Sequence, residues 1–289
     1  MRAILILSLT MIFFGSELFA GGHSSTLQDV KARGKLRCVV TTGLPGFAAP
    51  DANGVWRGFD WDFCRATAAA VLGDANAVDP ITSTGKTRFT KLNAGEGDVL
   101  WRNTTITFSR DVSVKLRFLG VNYYDGQGFM VNKSLGVSSA KELDGASVCI
   151  QTGTTTELNL ADYFSSNNMS YEAVTIETND EARQNYEAGR CDIYTTDASG
   201  LASTRSSLPN PNDHMVLPEI ISKEPLGPAV RQGDDAWADI ITWVLAATIT
   251  AEELGVNSSN VDQMKNSNNP EIRRMLGTDG SQGAELGLS

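Results

Sequence analysis

The sequence is poor in residues that bind metals. Only two histidines occur, His23 and His214, and none of the four cysteines lies in a Cys-X-X-Cys pair. Structural zinc sites need several such ligands at short spacings, and a cysteine nucleophile needs a histidine as its base. We therefore expect no metal site, no cofactor and no Cys–His catalytic pair.

Positive charge is also scarce. The 289 residues include 24 Lys and Arg against 34 Asp and Glu, a net charge of −10 with a pI near 4.7. This balance argues against nucleic acid or an anionic membrane as the partner.

Apolar runs long enough to span a membrane are missing. A spanning helix needs about 20 mostly apolar residues. The nearest candidate, 237–249, is interrupted by Asp239 and Thr242. We expect a soluble protein and, by default, a monomer.

The first twenty residues have the pattern of a signal peptide. Arg2 supplies a positive start, residues 3–14 are apolar apart from Ser8 and Thr10, and residues 18–20 offer a cleavage site before Gly21. The apolar run is too short for a spanning helix. This pattern predicts an exported protein whose fold begins near residue 21.

The rest of the chain repeats itself weakly. Residues 38–43 resemble 149–153, each a short strand that leads into a glycine turn, and residues 92–99 resemble 186–193, each a helix end, a glycine stop and a strand. Chance similarity is the alternative. Helical spacing over 59–71, a predicted capping box at Thr154 and Glu157, and short apolar strands between helices favour an α/β fold.

Two extended segments predict crossings between two lobes. Residues 123–131 and 222–230 are rich in glycine and proline and enclose the second copy of the repeat. We predict lobe 1 from residues 21–125 and 229–289, and lobe 2 from 126–228. A ligand between such lobes lies near strand ends, where α/β sheets usually bind ligands.

The four cysteines, even in number in an exported chain, favour two disulfides. Three connectivities are possible. We prefer Cys38–Cys64 and Cys149–Cys191, because each pair then lies within one lobe. A strand and the helix that follows it pack together, which can bring Cys38 to Cys64.

Three polar clusters suggest the ligand. They are Asn103-Thr104-Thr105 with Thr107, Ser109 and Arg110; Gly153-Thr154-Thr155-Thr156; and Asp197. A zwitterion needs a guanidinium for its carboxylate and a carboxylate for its ammonium. Together the clusters predict a pocket for a free amino acid, whereas each one alone also fits a solvated loop.

The chain resembles the periplasmic solute-binding proteins of ABC amino-acid importers, and among them the general L-amino-acid-binding kind. The resemblance runs from about residue 27 to 288. Its most specific segments are GLPGF (43–47), GFDWDFCR (58–65), YYDGQGFMV (123–131), GTTTELNLADYF (153–164) and SKEPLGP (222–228). It implies a type II periplasmic binding protein fold, α/β with two sheets flanked by helices and joined by a two-strand hinge.

The resemblance also implies the ligand and its contacts. The protein would capture L-amino acids, with broad specificity, in the periplasm and deliver them to a membrane permease. The implied ligand-binding residues are Phe47, Asn103, Thr105, Arg110, Thr154, Thr155 and Asp197. Arg110 would bind the carboxylate and Asp197 the ammonium. Phe47 would line the side-chain pocket, and ordinary packing is the alternative for Phe47 and for the nearby Trp56. For Arg110 the alternative is a surface ion pair with Asp111 or Asp125.

Two features depart from the family pattern. Arg102 stands where many relatives have a small hydroxyl residue, and it either reaches the ligand side chain or faces solvent. Relatives also usually continue for several tens of residues beyond the position of Ser289, in a segment that would help to cover lobe 1.

Two other functions compete with transport. One is an enzyme on the same fold, such as a dehydratase or a deaminating lyase, with Asp60, Asp62 and Asp197 as the candidate acids or bases. Asp60 and Asp62 lie at a predicted helix start, where capping explains them better than catalysis does. The other is a sensor domain, which the absence of a predicted span and output domain disfavours.

Overall fold

The structure is a computed structural model that describes residues 24–288. The predicted signal peptide, residues 1–20, lies outside the described residues. No helix within residues 24–288 is long and apolar enough to cross a membrane.

Helices and short strands alternate along the chain. The strands are β1 Leu36–Thr41, β2 Ala49–Pro50, β3 Trp56–Arg57, β4 Val78–Ser83, β5 Val99–Leu100, β6 Leu116–Phe118, β7 Tyr123–Asp125, β8 Gln127–Asn132, β9 Ala146–Gln151, β10 Tyr171–Ile176, β11 Ile193–Asp197, β12 His214–Val216, β13 Glu224–Leu226 and β14 Ala229–Arg231. The α-helices are α1 Ser25–Arg33, α2 Phe59–Leu72, α3 Arg88–Asn93, α4 Thr155–Ser166, α5 Asn179–Glu187, α6 Ala198–Ser206, α7 Asp235–Glu253, α8 Val261–Met264, α9 Pro270–Met275 and α10 Gln282–Glu285. A π-helical turn spans Ser109–Ser113.

The two main sheets have matching topologies. The first has the order β4-β1-β5-β14-β6 and the second β10-β9-β11-β8-β12. In each, the second strand of this order, β1 or β9, is parallel to both neighbours. The third strand, β5 or β11, then pairs with an antiparallel strand that belongs to or follows a crossing. The similar segments 38–43 and 149–153 form the ends of the equivalent strands β1 and β9, together with the turns that follow them, which explains the weak repeat.

Helices cover both faces of each sheet. In the first sheet, α1, α2 and α7 bury a core on one face, while residues of α3 pack on the other. In the second sheet, α4 packs on one face and α5 with α6 on the other. The fold is therefore α/β with two helix-flanked sheets, as predicted.

A two-stranded ribbon joins the sheets. β7 pairs antiparallel with β13, and Glu224 lies opposite Asp125. The crossings approach closely where the chain has glycine: a Cβ at Gly126 would collide with Ile220, and one at Gly227 with the backbone of Gly120. The predicted two-strand hinge is present.

The strands of each sheet belong to one part of the chain. β1, β4, β5, β6 and β14 lie within 21–125 and 229–289, and β8 to β12 lie within 126–228. We propose this division as the two lobes and use the terms lobe 1 and lobe 2 for it below.

The structure contains the two predicted disulfides, Cys38–Cys64 and Cys149–Cys191, with Cα–Cα distances of 6.0 and 5.5 Å. Cys38–Cys64 joins β1 to α2, and Cys149–Cys191 joins β9 to the loop before β11. In the chain-entropy model, loops of 26 and 42 residues stabilise the fold by about 3.5 and about 4.0 kcal/mol as upper values.

Two local predictions need correction. Thr154 does cap α4, since its hydroxyl accepts from the Glu157 N–H, but the Glu157 carboxylate accepts from the N–H of Gly153 rather than that of Thr154, so the capping box is incomplete. The strand predicted within 186–193 begins only at Ile193, so Cys191, which pairs with Cys149, lies in the loop before it.

Candidate functional site

The site lies where the two lobes meet. The Asn179 amide at the start of α5 donates to Thr41 Oγ1 at the end of β1, 3.1 Å away. The Ser203 hydroxyl on α6 donates to the Pro45 carbonyl at 2.7 Å. These contacts join opposite lobes across the cleft, so the protein is in a closed arrangement.

Glu224 is the centre of this contact. Its buried carboxylate accepts from the Thr105 hydroxyl of lobe 1 at 2.5 Å and the Thr155 hydroxyl of lobe 2 at 3.0 Å. Asn159 and Ser222 donate to its other oxygen at 2.7 and 2.6 Å. We call this set, Glu224 with its four donors, the Glu224 clasp. It brings side chains of both lobes to the hinge strand β13.

Arg110 projects from the π-helical turn that follows the hydroxyl-rich segment. One of its terminal nitrogens donates to the Thr105 carbonyl at 2.7 Å, and its guanidinium lies 5.1 Å from the centre of the Phe89 ring. It is buried, and no ion pair within residues 24–288 links it to Asp111 or Asp125. Burial lowers the pKa of Arg110 to about 10, so it remains a cation at neutral pH.

Two further buried arginines lie nearby. Arg88, at the start of α3, donates to the Thr104 hydroxyl at 3.3 Å and lies 4.8 Å from the centre of the Phe89 ring. Arg102, just after β5, donates to the Ser83 carbonyl at 3.4 Å. Burial lowers the pKa of Arg102 to about 10, and it lowers that of Arg88 well below its ordinary value with help from the other two cations.

Asp60 and Asn103 stand beside Arg102. The Asp60 carboxylate, at the start of α2, accepts from the Asn103 N–H at 2.8 Å. Burial raises the pKa of Asp60 to about 6, against the opposing effect of that hydrogen bond and of Arg102. The side-chain oxygen of Asn103 is buried and has no hydrogen-bond donor among the described residues.

Asp197 ends β11 and precedes α6. Its carboxylate is buried, and no hydrogen bond to it is found in the part of the chain that the structure describes. Burial, then the charges of Asp125 and Glu224, raise the pKa of Asp197 to about 7, while Arg88 and Arg110 oppose the shift. A cation placed against this carboxylate would relieve that cost.

The start of α4 faces lobe 1. Thr154 uses its hydroxyl to cap the helix and to donate to the Gln151 carbonyl at 2.7 Å. The Thr155 hydroxyl instead donates to the Glu224 carboxylate, and it lies 3.3 Å from the Thr105 hydroxyl. A Cβ at Gly85 of lobe 1 would lie 2.8 Å from Thr154 Cγ2, so the lobes touch here. A helix N-terminus in this position favours an anion.

Phe47 lies at the mouth of the site. Its ring meets those of Phe59 and Tyr123 edge to face, with centroids 6.2 and 5.8 Å away. With Ser199 and Ser203 of the opposite lobe, these rings line an open cleft of about 490 Å³. Phe47 therefore both packs and lines a cleft, and the two sequence interpretations are compatible.

The structure brings most of the predicted residues together. Thr105, Arg110 and Thr155 are linked by hydrogen bonds, directly or through Glu224. Asp197 interacts with Arg110 through its charge. Phe47 lies apart from this group, in the cleft that it lines with Ser199 and Ser203. Sequence reasoning missed the role of Glu224, although it lies in the distinctive segment 222–228.

Arg88 was missed as well, and the sequence offers no local signal for it. It opens an ordinary helix, and only the tertiary structure brings it to Asn103 and Thr104. Arg102, left open between ligand and solvent, is buried.

A two-lobed α/β protein with a closed, charged cleft at a two-strand hinge is a ligand-binding protein of the periplasmic type. The chain belongs to the bacterial extracellular solute-binding proteins, family 3, whose model matches residues 36–257.

Characterised relatives cover nearly the whole chain. It is 61% identical over 282 residues to the glutamate/glutamine/aspartate/asparagine-binding protein BztA of Rhodobacter capsulatus, covering 96% of this chain and 83% of that protein. It is 58% identical over 281 residues to the general L-amino acid-binding periplasmic protein AapJ of Rhizobium johnstonii, covering 95% and 82%.

The fold also matches a solved structure. An ABC transporter periplasmic binding protein from Brucella ovis with glutathione bound superposes with a TM-score of 0.89 at 55% identity, over 92% of this chain and 84% of that one.

Proposed function

We propose that this protein captures L-amino acids in the periplasm, with broad specificity, and delivers them to the permease of an ABC importer. One observation carries the proposal: two buried groups of opposite charge, Arg110 from lobe 1 and Asp197 from lobe 2, lie close enough for the charge of each to shift the pKa of the other. A free amino acid carries the complementary pair of charges. The names of the relatives BztA and AapJ agree with such a ligand.

Each group then has a role in holding the amino-acid main chain. The Arg110 guanidinium binds the carboxylate, since its bond to Thr105 uses one terminal nitrogen and leaves other N–H groups to donate. Asn103, Thr105 and the first turn of α4, with Thr154 and Thr155, supply the remaining polar contacts. Asp197 takes the ammonium. The side chain of the bound amino acid extends toward the cleft beside Phe47. The volume of this cleft admits side chains of different size.

A thermal-shift screen against the twenty amino acids tests the function. Ligands that bind the native state raise its apparent stability, and several amino acids should do so. A screen in which no amino acid shifts the transition, confirmed by calorimetry, would refute the proposal.

Turnover is the alternative to simple binding, and the raised pKa of Asp197 in the cleft is the observation that favours it. The geometry favours binding: Asp60 bonds the backbone of Asn103, and Asp62 pairs with Arg65 on the exposed face of α2. Mass spectrometry of an overnight incubation should recover the amino acid unchanged. A new product that requires Asp197 would establish an enzyme.

Ligand should close the lobes about the β7–β13 hinge. The Glu224 clasp joins Thr105 of lobe 1 to Thr155 and Asn159 of lobe 2, so it stabilises the closed arrangement. A zwitterion that bridges Arg110 and Asp197 favours the closed arrangement as well. Small-angle scattering should show a smaller radius of gyration at saturating amino acid. An unchanged radius, with binding verified in the same sample, would mean that the site is preformed.

Affinity should fall as the pH falls below about 7. Asp197 has a pKa raised to about 7 by burial and by Asp125 and Glu224, against Arg88 and Arg110. It must lose its proton to meet an ammonium, which stays charged in this range. Below the pKa of Asp197, binding of the amino acid releases the proton from this carboxyl group. The dissociation constant therefore rises by up to about tenfold for each unit by which the pH falls. Calorimetry between pH 5 and pH 8 measures this slope, and Asp197→Asn should lose it. A wild-type affinity that is flat over this range would contradict the assignment.

A further inference from the structure

One loop of lobe 1, residues 43–47, accepts hydrogen bonds from lobe 2, and we call it the rim loop. The Asn179 amide nitrogen of lobe 2 donates to the Gly43 carbonyl at 3.3 Å and to Thr41 Oγ1, just before the loop, at 3.1 Å. Among the described residues, no other donor to the Gly43 carbonyl is found. This carbonyl therefore has a protein partner only while the two lobes are in contact.

The Asn179 side chain is not needed to begin its own helix. The start of α5 has a complete capping box, in which the Thr178 hydroxyl accepts from the Glu181 N–H and the Glu181 carboxylate accepts from the Thr178 N–H. Asparagine is a residue that commonly caps helices itself. Because the pair on either side of it already caps α5, the Asn179 amide is available to bond lobe 1.

Ser203 also departs from the usual pattern of a helical hydroxyl. A serine or threonine within a helix can donate to the carbonyl four residues earlier, as Thr67 of α2 does to Phe63 at 2.8 Å. The Ser203 hydroxyl on α6 instead donates across the cleft to the Pro45 carbonyl, for which no other donor is found within residues 24–288. Side chains from two helices of lobe 2 thus bond the same loop of lobe 1.

The rim loop is fixed to residues of the proposed amino-acid site. The Phe47 carbonyl accepts from the N–H groups of Asp60 and Trp61 at 2.9 and 3.2 Å, and a Cβ at Gly58 would lie 2.4 Å from the Phe47 oxygen. The Asp60 carboxylate in turn accepts from the Asn103 N–H. Lobe 2 therefore bonds a part of lobe 1 that is packed against the site, rather than an isolated surface turn.

We propose that Asn179 and Ser203 form a rim latch, a pair of positioning residues that hold the closed lobes together and set how long an amino acid stays bound. The inference rests on the proposed function and deepens it, because it assigns part of the affinity to bonds between the lobes. These bonds join uncharged groups of the protein, so their contribution is the same whichever side chain the ligand carries. They form after the ligand has entered the open cleft, so they slow dissociation and leave association unchanged.

Stopped-flow fluorescence and calorimetry with L-glutamine and L-glutamate test the rim latch. Asn179→Ala and Ser203→Ala should each raise the dissociation rate constant and the dissociation constant by roughly two- to tenfold, the value of about one net hydrogen bond. The factor should be the same for both amino acids, and the association rate constant should stay at the wild-type value. Asn185→Ala on α5 and Ser206→Ala on α6 remove exposed side chains that bond only within lobe 2, and these matched controls should change neither rate constant.

Asn179→Asp distinguishes the rim latch from a role in the helix alone. Aspartate at a helix start is favourable, so a residue that only supported α5 would tolerate this change. The rim latch needs an N–H donor, and a carboxylate opposite the Gly43 carbonyl supplies none. Asn179→Asp should therefore release the ligand at least as fast as Asn179→Ala.

The outcomes separate the rim latch from the proposed function. Wild-type rate constants in either the Asn179 variants or Ser203→Ala, factors that differ between the two amino acids, or a change confined to association would overturn the latch and leave the function standing. Wild-type protein that binds no amino acid would overturn both. If circular dichroism shows that the Asn179 variants do not fold, Ser203→Ala alone decides.

Discussion

Arg110→Ala should reduce amino-acid affinity by a factor between roughly 30 and several thousand, the range expected when one member of a buried charge pair is removed at a cost of about 2–5 kcal/mol. Arg110 is buried above the Phe89 ring and is held by a single bond to the Thr105 carbonyl. Arg110→Lys should also bind poorly, because the single ammonium group of Lys cannot offer the two parallel N–H donors of a guanidinium.

The fold should survive this substitution, which makes the loss interpretable. Arg110 lies on a short π-helical turn outside the hydrophobic cores of both lobes. Circular dichroism should match the wild type, and Arg117→Ala, at an exposed arginine of the same lobe, should leave affinity unchanged. Isothermal titration that finds wild-type affinity in the Ala variant would remove Arg110 from the site.

Asp197→Asn should weaken amino acids by a similarly large factor while sparing analogues that lack the ammonium. The buried carboxylate has no hydrogen-bond donor among residues 24–288, so in the ligand-free protein its charge is poorly compensated. Replacing it by a neutral amide removes the partner of the ammonium but not the carboxylate contacts. An L-amino acid and the corresponding deaminated acid should be compared by competition binding.

The same variant should be more stable than the wild type without ligand at pH 8. An acid whose folded pKa is raised binds its proton more tightly when folded, so its ionised form costs stability, and that cost is fully present above the folded pKa of about 7. Asn removes the cost. Asp62→Asn, at an exposed helix position, is the matched control. Equal loss of affinity for both ligands, with no gain in melting temperature, would exclude Asp197 as the ammonium partner.

Local sequence patterns determine where several helices of this protein begin and end. The glycine stop after α2, the cap at Thr154 and the helix that begins after Asp234 all depend on residues within a few positions of each other, so they can be identified from sequence. The two disulfides followed from pairing each strand cysteine with a cysteine of its own lobe.

The charged residues of the predicted site were identifiable for a different reason. Arg110 and Asp197 follow hydroxyl-rich segments at strand ends, and a carboxylate and an ammonium need those two side chains whatever the rest of the fold does. Their roles stay predictions until affinities are measured. The weak internal repeat and the two extended segments predicted two lobes with crossings between them, and the resemblance to a family added the type II fold with its two-strand hinge.

Only the tertiary structure decided which other charges enter the cleft. Glu224 lies in the Lys-Glu-Pro segment of the second predicted crossing, yet its carboxylate accepts hydrogen bonds from positions 105, 155, 159 and 222. Arg88 and Arg102 have the same charge as any surface arginine, and burial beside Asn103 and Asp60 gives them their significance. The physical reason is that burial and the set of facing charges depend on how two distant lobes pack against each other. No short stretch of sequence contains that information.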